Sequence, residues 1–402
     1  MPESNLTAFI LLPKLKLAKF EYSHESKQVT FNCLTETLSD FCPHCGMETS
    51  KVHDRRWVSI KDATHGQKQK ILRILKKRYR CEGIGCKKVF TENIQGISKR
   101  ARLTERMQKE ILYLSERFAN LKQVSHHTSV GNKTIYKRHY AQLDLEWRKV
   151  KNNTWPTTIG IDEHSFIRNK KYGHREFVTM VVDYNNKRLK EVLPTRTVGE
   201  LQQQLSYIQG RENVKNVCMD LSTSYRSFAK DFFPNAKIIA DKFHVVRLPL
   251  PALQKYLKVV KTETKEHKLR RKLLLKNSFN LDRETRGMIY GWLKLHPEIR
   301  EIYLAKETIN KAYRCENAGQ ARKILTKLTD ALAMTKVPEL KSLRKTLLSW
   351  LNEILNYFES RLTNARTEGF NNVAKQVQKR AYGFKNFNNY GSSWLAVGSS
   401  VS

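Results

Sequence analysis

The sequence predicts a multidomain chain of mixed α+β and α/β class: a small cysteine-bearing module, a helical segment, and a sheet-based domain interrupted by helices. Three observations predict it. Two cysteine pairs lie between 42 and 86, helix-period segments fill 104–150, and after Trp155-Pro156 the apolar pattern changes to short β-branched runs. With 402 residues, 40% of them hydrophobic and 10% aromatic, the chain can build two or three cores.

Charge sets the class of partner. The 74 Lys and Arg outnumber the 38 Asp and Glu, giving a net charge of +36 and a pI near 9.9. Such an excess favours counterion-releasing contact with a polyanion, DNA or RNA. No apolar run approaches the ~20 residues of a spanning helix, and Ala8–Leu12 is too short for a signal-peptide core. The expectation is therefore a cytoplasmic, nucleoid-associated protein without a membrane partner. Seven cysteines, an odd number, argue against a disulfide framework and turn attention to spacing.

Cys42 and Cys45 form a C-x2-C pair, Cys81 and Cys86 a C-x4-C pair. Pro43 and Gly46 suit a tight turn that lets two thiolates grip one side of a tetrahedral Zn2+ while the second pair closes the other. With all four positions filled by protein, the zinc would be structural. His44 and His53 are lower-ranked substitute ligands, and Cys33, Cys218 and Cys315 read as ordinary buried thiols. This module spans about 35–98, after an N-terminal segment 1–34. Within it Gln69–Arg80 is a basic, strand-like stretch whose cations either track a phosphate backbone or line a solvated edge strand.

Residues 99–150 predict a helical domain. A helix over 104–118 with Thr104 as N-cap precedes a helix-turn-helix pattern, with Val124, Val130 and Ile135 apolar and Ser125 and Ser129 small. Its second helix, from about Asn132 to Tyr140, would enter the major groove and offer Lys133, Thr134, Tyr136, Lys137 and Arg138 to bases and phosphates.

From residue 155 the predicted elements are strands 157–163, 177–183 and 188–193, a helix 198–208, a strand 214–220, a helix 224–232 and a strand 237–241. Three meandering strands followed by two helix-linked strands is the ribonuclease H-like order. In it the first and fourth strands are neighbours, so Asp162 and Asp220 converge. On a helical wheel Glu368 shares a polar face with Asn372, Lys375 and Lys379, opposite Phe370, Val373, Ala374, Val377 and Ala381. Glu353 and Glu359 belong to a more evenly charged helix and read as surface groups. Asp162, Asp220 and Glu368 thus form a candidate carboxylate triad for two Mg2+ or Mn2+ ions, with Lys375 and Lys379 beside the phosphate. Hard oxygen ligands favour those ions, and a two-metal site serves in-line phosphodiester displacement.

With these blocks in hand, the chain resembles the ISL-three type of insertion-sequence transposases, DDE enzymes with an N-terminal zinc finger. The matching residues are the four cysteines, the helix-turn-helix near 121–140, Gly160-Ile161-Asp162-Glu163, Asp220-Leu221-Ser222 with Tyr225, Ala240–Val245, Thr367–Asn372 and Lys379–Phe384. The resemblance implies DNA binding at terminal inverted repeats, strand cleavage there, strand transfer into target DNA, and a homo-oligomer holding both ends. It also implies a catalytic domain over about 155–390 with a helical insertion at about 250–360, contacting either DNA or a second subunit. Asp241 and His244 belong to a family block as well, either as DNA-contacting groups or as a buried polar cluster. The chain departs from the family pattern in an atypical, uncharged tail, 391–402. A catalytically lapsed, transposase-derived DNA-binding regulator is the alternative expectation, and a nuclease that cuts without joining is a further one.

Overall fold

The computed structural model describes residues 12–66, 68–151, 153–168, 175–260, 265–381 and 383–400. Most of the Ala8–Leu12 run, Tyr382 and the last two residues of the tail lie outside the described residues. The chain divides into two compact units, Met1–Leu145 and Glu146–Ser402.

In the first unit the strands are β1 (Leu15–Ser23), β2 (Gln28–Thr35), β3 (Asp40–Phe41), β4 (Glu48–Thr49), β5 (Val52–His65), β6 (Lys68–Arg80) and β7 (Val89–Thr91). The sheet runs β1-β2-β6-β5, with β7 also on β6. The basic stretch is therefore not an edge strand. β6 lies in the middle because Leu72 and Ile74 alternate onto a core with Cys33, Ile60 and Leu15, roofed by Ile94 and Ile97.

Three helices follow: α1 (Glu105–Arg117), α2 (Leu121–Thr128) and α3 (Asn132–Val150). Thr104 caps α1, its hydroxyl accepting the Met107 N–H at 3.1 Å and donating to Asp62 at 2.7 Å. Asp62 is sealed from solvent and paired with Lys70 at 2.8 Å and with Arg106. Asn120 caps α2, and Ser129 ends it in the left-handed region at φ 51°. Met107, Ile111, Val124, Val130 and Ile135 form the small core between the three helices. α3 continues to Val150 rather than stopping near Tyr140, because no Gly or Pro interrupts it before Pro156.

The second unit is built on β8 (Thr158–Arg168), β9 (Arg175–Asp183), β10 (Arg188–Leu193), β11 (Asn216–Met219) and β12 (Lys237–Ala240), in the order β10-β9-β8-β11-β12. β8, β9 and β10 are antiparallel neighbours, whereas β11 runs parallel to both β8 and β12. Helices α4 (Val198–Leu205) and α5 (Thr223–Phe232) make the crossovers. Both faces are covered, which explains the near-continuous apolar runs. Ile159, Ile161, Val181, Val217 and Met219 pack with Leu201, Leu205 and Phe228 on one face. Met180, Val182, Cys218 and Ile239 pack with Phe370, Ala374, Tyr390 and Trp394 on the other.

After α6 (Lys242–Arg247) comes a helical run: α7 (Leu250–Val259), α8 (Lys265–Leu275), α9 (Arg283–Lys294), α10 (Pro297–Ala312), α11 (Ala318–Ala331), α12 (Pro338–Ser349) and α13 (Leu351–Ser360). Glu353 in α13 is not a surface charge. It is 7% exposed and lies 3.8 Å from Arg226 and 3.6 Å from Lys230 of α5, so the sheet domain and the helical run share a charge cluster. Glu359 stays exposed, paired with Lys237.

The chain ends in α14 (Ala365–Arg380) and α15 (Phe387–Ser400). The uncharged segment after Gly391 is therefore helical, and Tyr390 and Trp394 are fully buried beside His164. Its lack of charge is what burial requires. Gly160 on β8 marks the tightest approach. A Cβ there would meet the Thr367 hydroxyl of α14 at 2.4 Å and the Tyr184 ring at 2.5 Å. Replacing Gly160 with Ala should cost about 1–3 kcal/mol through overpacking. Urea unfolding checks this, and a variant with an unchanged midpoint would mean that α14 does not sit this close to β8.

Candidate functional site

Two sites emerge from the folded chain. In the first, the Sγ atoms of Cys42, Cys45, Cys81 and Cys86 all lie within 4.8 Å of one another. Cys45 and Cys81 are 3.4 Å apart, Cys42 and Cys86 3.8 Å. A tetrahedron with Zn–S bonds of ~2.3 Å has edges of about 3.8 Å, so the cluster fits one zinc ion. The β3–β4 turn supplies the first pair, with Gly46 at φ 73°. Gly83 supplies the close approach at the second, its N–H donating to Cys81 Sγ at 3.3 Å. Neither His44 nor His53 is needed, and four thiolates leave no open position for chemistry.

The second site lies where the parallel β8–β11 ladder ends: Asp220 directly follows β11, while Asp162 is mid-strand, because β8 runs on to Arg168 paired with β9 rather than stopping near residue 163. Asp162 is 7% exposed. Its Oδ1 accepts the Glu163 N–H at 2.8 Å, and its Oδ2 accepts from the Asn371 amide at 2.9 Å and the Asn364 amide at 3.5 Å. Burial pushes the Asp162 carboxyl up to about 7, and the nearby charge of Asp220 adds to the effect. Burial also raises Asp220, with the His244 imidazole opposing it. Asp220 Oδ1 is sealed from solvent without a hydrogen-bond partner. A buried orphan acceptor beside a second buried carboxyl fits a divalent cation with hard oxygen ligands. The following helix does not need Asp220, since Ser222 caps α5.

Asp241, at the end of β12, is 1% exposed and caps α6. Its Oδ1 accepts the Asn364 N–H at 2.9 Å, and its Oδ2 lies 3.0 Å from His244 Nδ1. Although burial opposes it, these bonds hold Asp241 below the usual carboxylate range and hold His244 above the usual imidazole range. Asn364 is itself fully buried. Its Oδ1 accepts from the Tyr184 hydroxyl at 3.1 Å, and that hydroxyl also reaches Thr367 at 2.7 Å. The first turn of α14 is thus tied to β8, β9 and β12 at once.

Glu368 sits inside that tied turn, half-buried, lining a hollow of about 240 Å³ with Asp241, Lys242 and Phe243. Asp162 and Asp220 are electrostatic neighbours, but Glu368 does not join them at ligand distance. Among the described residues, the cysteines alone bring three or more potential ligand atoms within 4.8 Å of one another. Lys375 and Lys379 are exposed, as is Asn372. The amide that reaches Asp162 is Asn371. Sequence reasoning missed Asn364, Asn371, Tyr184 and Thr367 as parts of this site. The signal available was Asn371 in the block around Glu368, one helical turn further along.

In the first unit, Lys133, Thr134, Tyr136 and Lys137 are exposed on the first turns of α3. Arg138 is not offered in the same way. It is half-buried and donates to Gln108 of α1 at 2.6 Å. No helix among the described residues is long and apolar enough to cross a membrane.

Over residues 159–393, more than half of the chain, the sequence matches the DDE family model of the ISL3 type, described as transposase. Residues 39–86, which hold all four clustered cysteines, match the zinc-finger of transposase IS204/IS1001/IS1096/IS1165. The chain is also 22% identical, over 360 residues, to the transposase for insertion sequence element IS1001 of Bordetella parapertussis. That alignment covers 86% of this chain and 85% of that protein.

Two outcomes follow from the geometry. Asp241→Ala strands the Asn364 N–H and should lower stability by about 1–3 kcal/mol. Hydrogen exchange at Asn364 should rise with it, and unchanged protection there would separate Asp241 from α14. Cys81→Ser should reduce bound zinc well below one ion per chain, as read by metal analysis of purified protein. Full zinc content in that variant would exclude the four-cysteine site.

Proposed function

The chain belongs to the ISL-three family of transposases, and on that premise we propose that it binds the terminal inverted repeats of an insertion sequence and catalyses metal-dependent strand cleavage and strand transfer there. The observation that carries this reading is the pair Asp162 and Asp220, neighbours where the parallel β8–β11 ladder ends, with Asp162 buried and Asp220 Oδ1 sealed without a bond. The strand order β10-β9-β8-β11-β12, three antiparallel and two helix-linked parallel strands, supports a ribonuclease H-like catalytic domain. The capped α1–α2–α3 arrangement, with exposed Lys133, Thr134, Tyr136 and Lys137 after the Ser129 turn, supports a helix-turn-helix.

In this reading Asp162, Asp220 and Glu368 would hold two Mg2+ or Mn2+ ions, Glu368 drawing in from its position in the metal-free fold, where it is not at ligand distance. Such ions, when bound, stabilise the attacking and leaving oxygens of a phosphodiester displacement. The chain's own residues do the rest. Asn371 and Asn364 orient the Asp162 carboxylate, and Asp241 sets the turn that carries Glu368. Lys375 and Lys379, exposed along α14, attract the DNA phosphates, with Lys133 and Lys137 doing so at the repeat. A homo-oligomer would bring the two element ends together. The reading as a lapsed regulator drew on the uncharged tail, and that segment is a packed helix in the structure.

Asp162→Asn should abolish metal-dependent cutting and joining of a plasmid that carries the DNA flanking the gene, while repeat binding persists. Retained cutting would sink the assignment. Because the Asp162 carboxyl sits at about 7 in the metal-free fold, a cation must displace a proton below that pH. Mn2+ affinity should therefore climb as pH rises toward about 7 and level off above it. The sign for stability is opposite: metal-free protein favours the protonated carboxyl and should lose stability between the unfolded-chain value near ~4 and about 7. Calorimetric Mn2+ titration at several pH values tests both, and a pH-independent affinity would remove Asp162 from the ligand set.

A further inference from the structure

The N-terminal sheet has one face that the reading above does not use. Its inner face is closed by Ile94 and Ile97. On the outer face Trp57, Leu75, Leu34 and Lys16 lie in direct register across β5, β6, β2 and β1. The adjacent row on that face is Ser59, Arg73, Asn32 and Lys19. Trp57 on the edge strand β5 is 45% exposed, and Leu34 is 39% exposed although its strand β2 is paired on both sides. An apolar strip and a cationic strip therefore run side by side, about 7 Å apart and about 15 Å long at ordinary strand spacing.

We propose that this face is a second nucleic-acid site, which takes an unpaired DNA strand with its bases on Trp57, Leu75 and Leu34 and its phosphates along Arg73 and Lys19. The charge is complementary. Lys16, Lys19, Arg55 and Arg73 are exposed here, against Glu21 as the acid of the neighbouring row, which lies 3.5 Å from Lys19. Arg73 stands over the Trp57 ring at 5.2 Å and leaves the ring accessible. A duplex hides its bases and would satisfy only the cations, whereas a single strand satisfies both strips. Four-stranded sheet faces of this width stack about two or three bases, without strong sequence preference. The same face leads into a groove of about 370 Å³ between Ser59, Lys61 and Ile71 of the sheet and Val130, Gly131 and Thr134 at the start of α3. The inference rests on the proposed DNA chemistry, since cutting and joining at element ends expose unpaired strands.

The test uses the full-length, zinc-loaded chain with two probes: a fluorescein-labelled oligo-dT, and a duplex carrying the flanking repeat. Trp57→Ala and Arg73→Ala should each weaken oligo-dT binding about 5- to 100-fold and leave duplex binding unchanged. Trp57→Phe should retain most of the oligo-dT affinity. Lys133→Ala with Lys137→Ala should do the reverse, weakening the duplex and sparing oligo-dT. Zinc content and circular dichroism confirm that each variant is folded. Wild-type protein that binds the duplex but not oligo-dT would overturn this site alone, and protein that binds neither would overturn the DNA reading as well. Oligo-dT binding indifferent to Trp57 and Arg73 also refutes it, and a changed sedimentation coefficient in Trp57→Ala would then assign the face to a protein contact.

Discussion

The hydrogen bond from the Asn364 N–H to the sealed carboxylate of Asp241 is the constraint on which the second unit depends. A buried carboxylate must be matched by donors or it will take up a proton, and here two donors come from different elements, α6 and the start of α14. Matching it therefore ties chain segments more than a hundred residues apart. The same turn is tied again through Tyr184 and Thr367, and it can come that close only because Gly160 has no side chain. Asp162 and Glu368 lie on the two elements so joined.

The charges at this site are kept in different states by their partners. Asp241 has matched donors and stays ionised. Asp162 accepts from a backbone N–H and two amides but is pushed up by burial and by its acidic neighbour, and Asp220 carries an oxygen with no partner at all. Two under-compensated carboxyls beside a compensated one suit a divalent cation, which is why the proposed function assigns the pair and not Asp241 to metal. The long basic helical run between β12 and α14 is also not a free appendage, because Glu353 reaches back to Arg226 and Lys230 of the sheet domain.

In the first unit the zinc cluster and the sheet serve one another. The second cysteine pair leaves directly from β6 and β7, whose Tyr79 and Phe90 pack beside Cys42 and Cys81. Metal binding at that point would hold the end of the strand that is central to the sheet, and Asp62 on β5 anchors α1 through Thr104 and Arg106. Local chemistry at one end thus sets the frame on which the exposed helix turn is displayed.

Much of this was legible in the residues because the signals were local. Cysteine spacing, the β-branched runs ending at Asp162 and Asp220, the Thr104 and Ser222 caps, and the polar face around Glu368 all depend on neighbours a few positions away. The sequence alone determined the zinc-binding cysteine set, the helices of 104–150 and the order of the five strands in the second unit, while the long strands β1, β2 and β5 gave no comparable local signal. Tertiary structure decided what depends on distant partners. It placed β6 in the centre of its sheet by pairing it with β2, buried Glu353 against α5, turned the uncharged segment into a core helix, and chose Asn371 over Asn372 for Asp162. Those outcomes follow from which surfaces meet, and periodicity within one segment carries no information about the segment that will cover it.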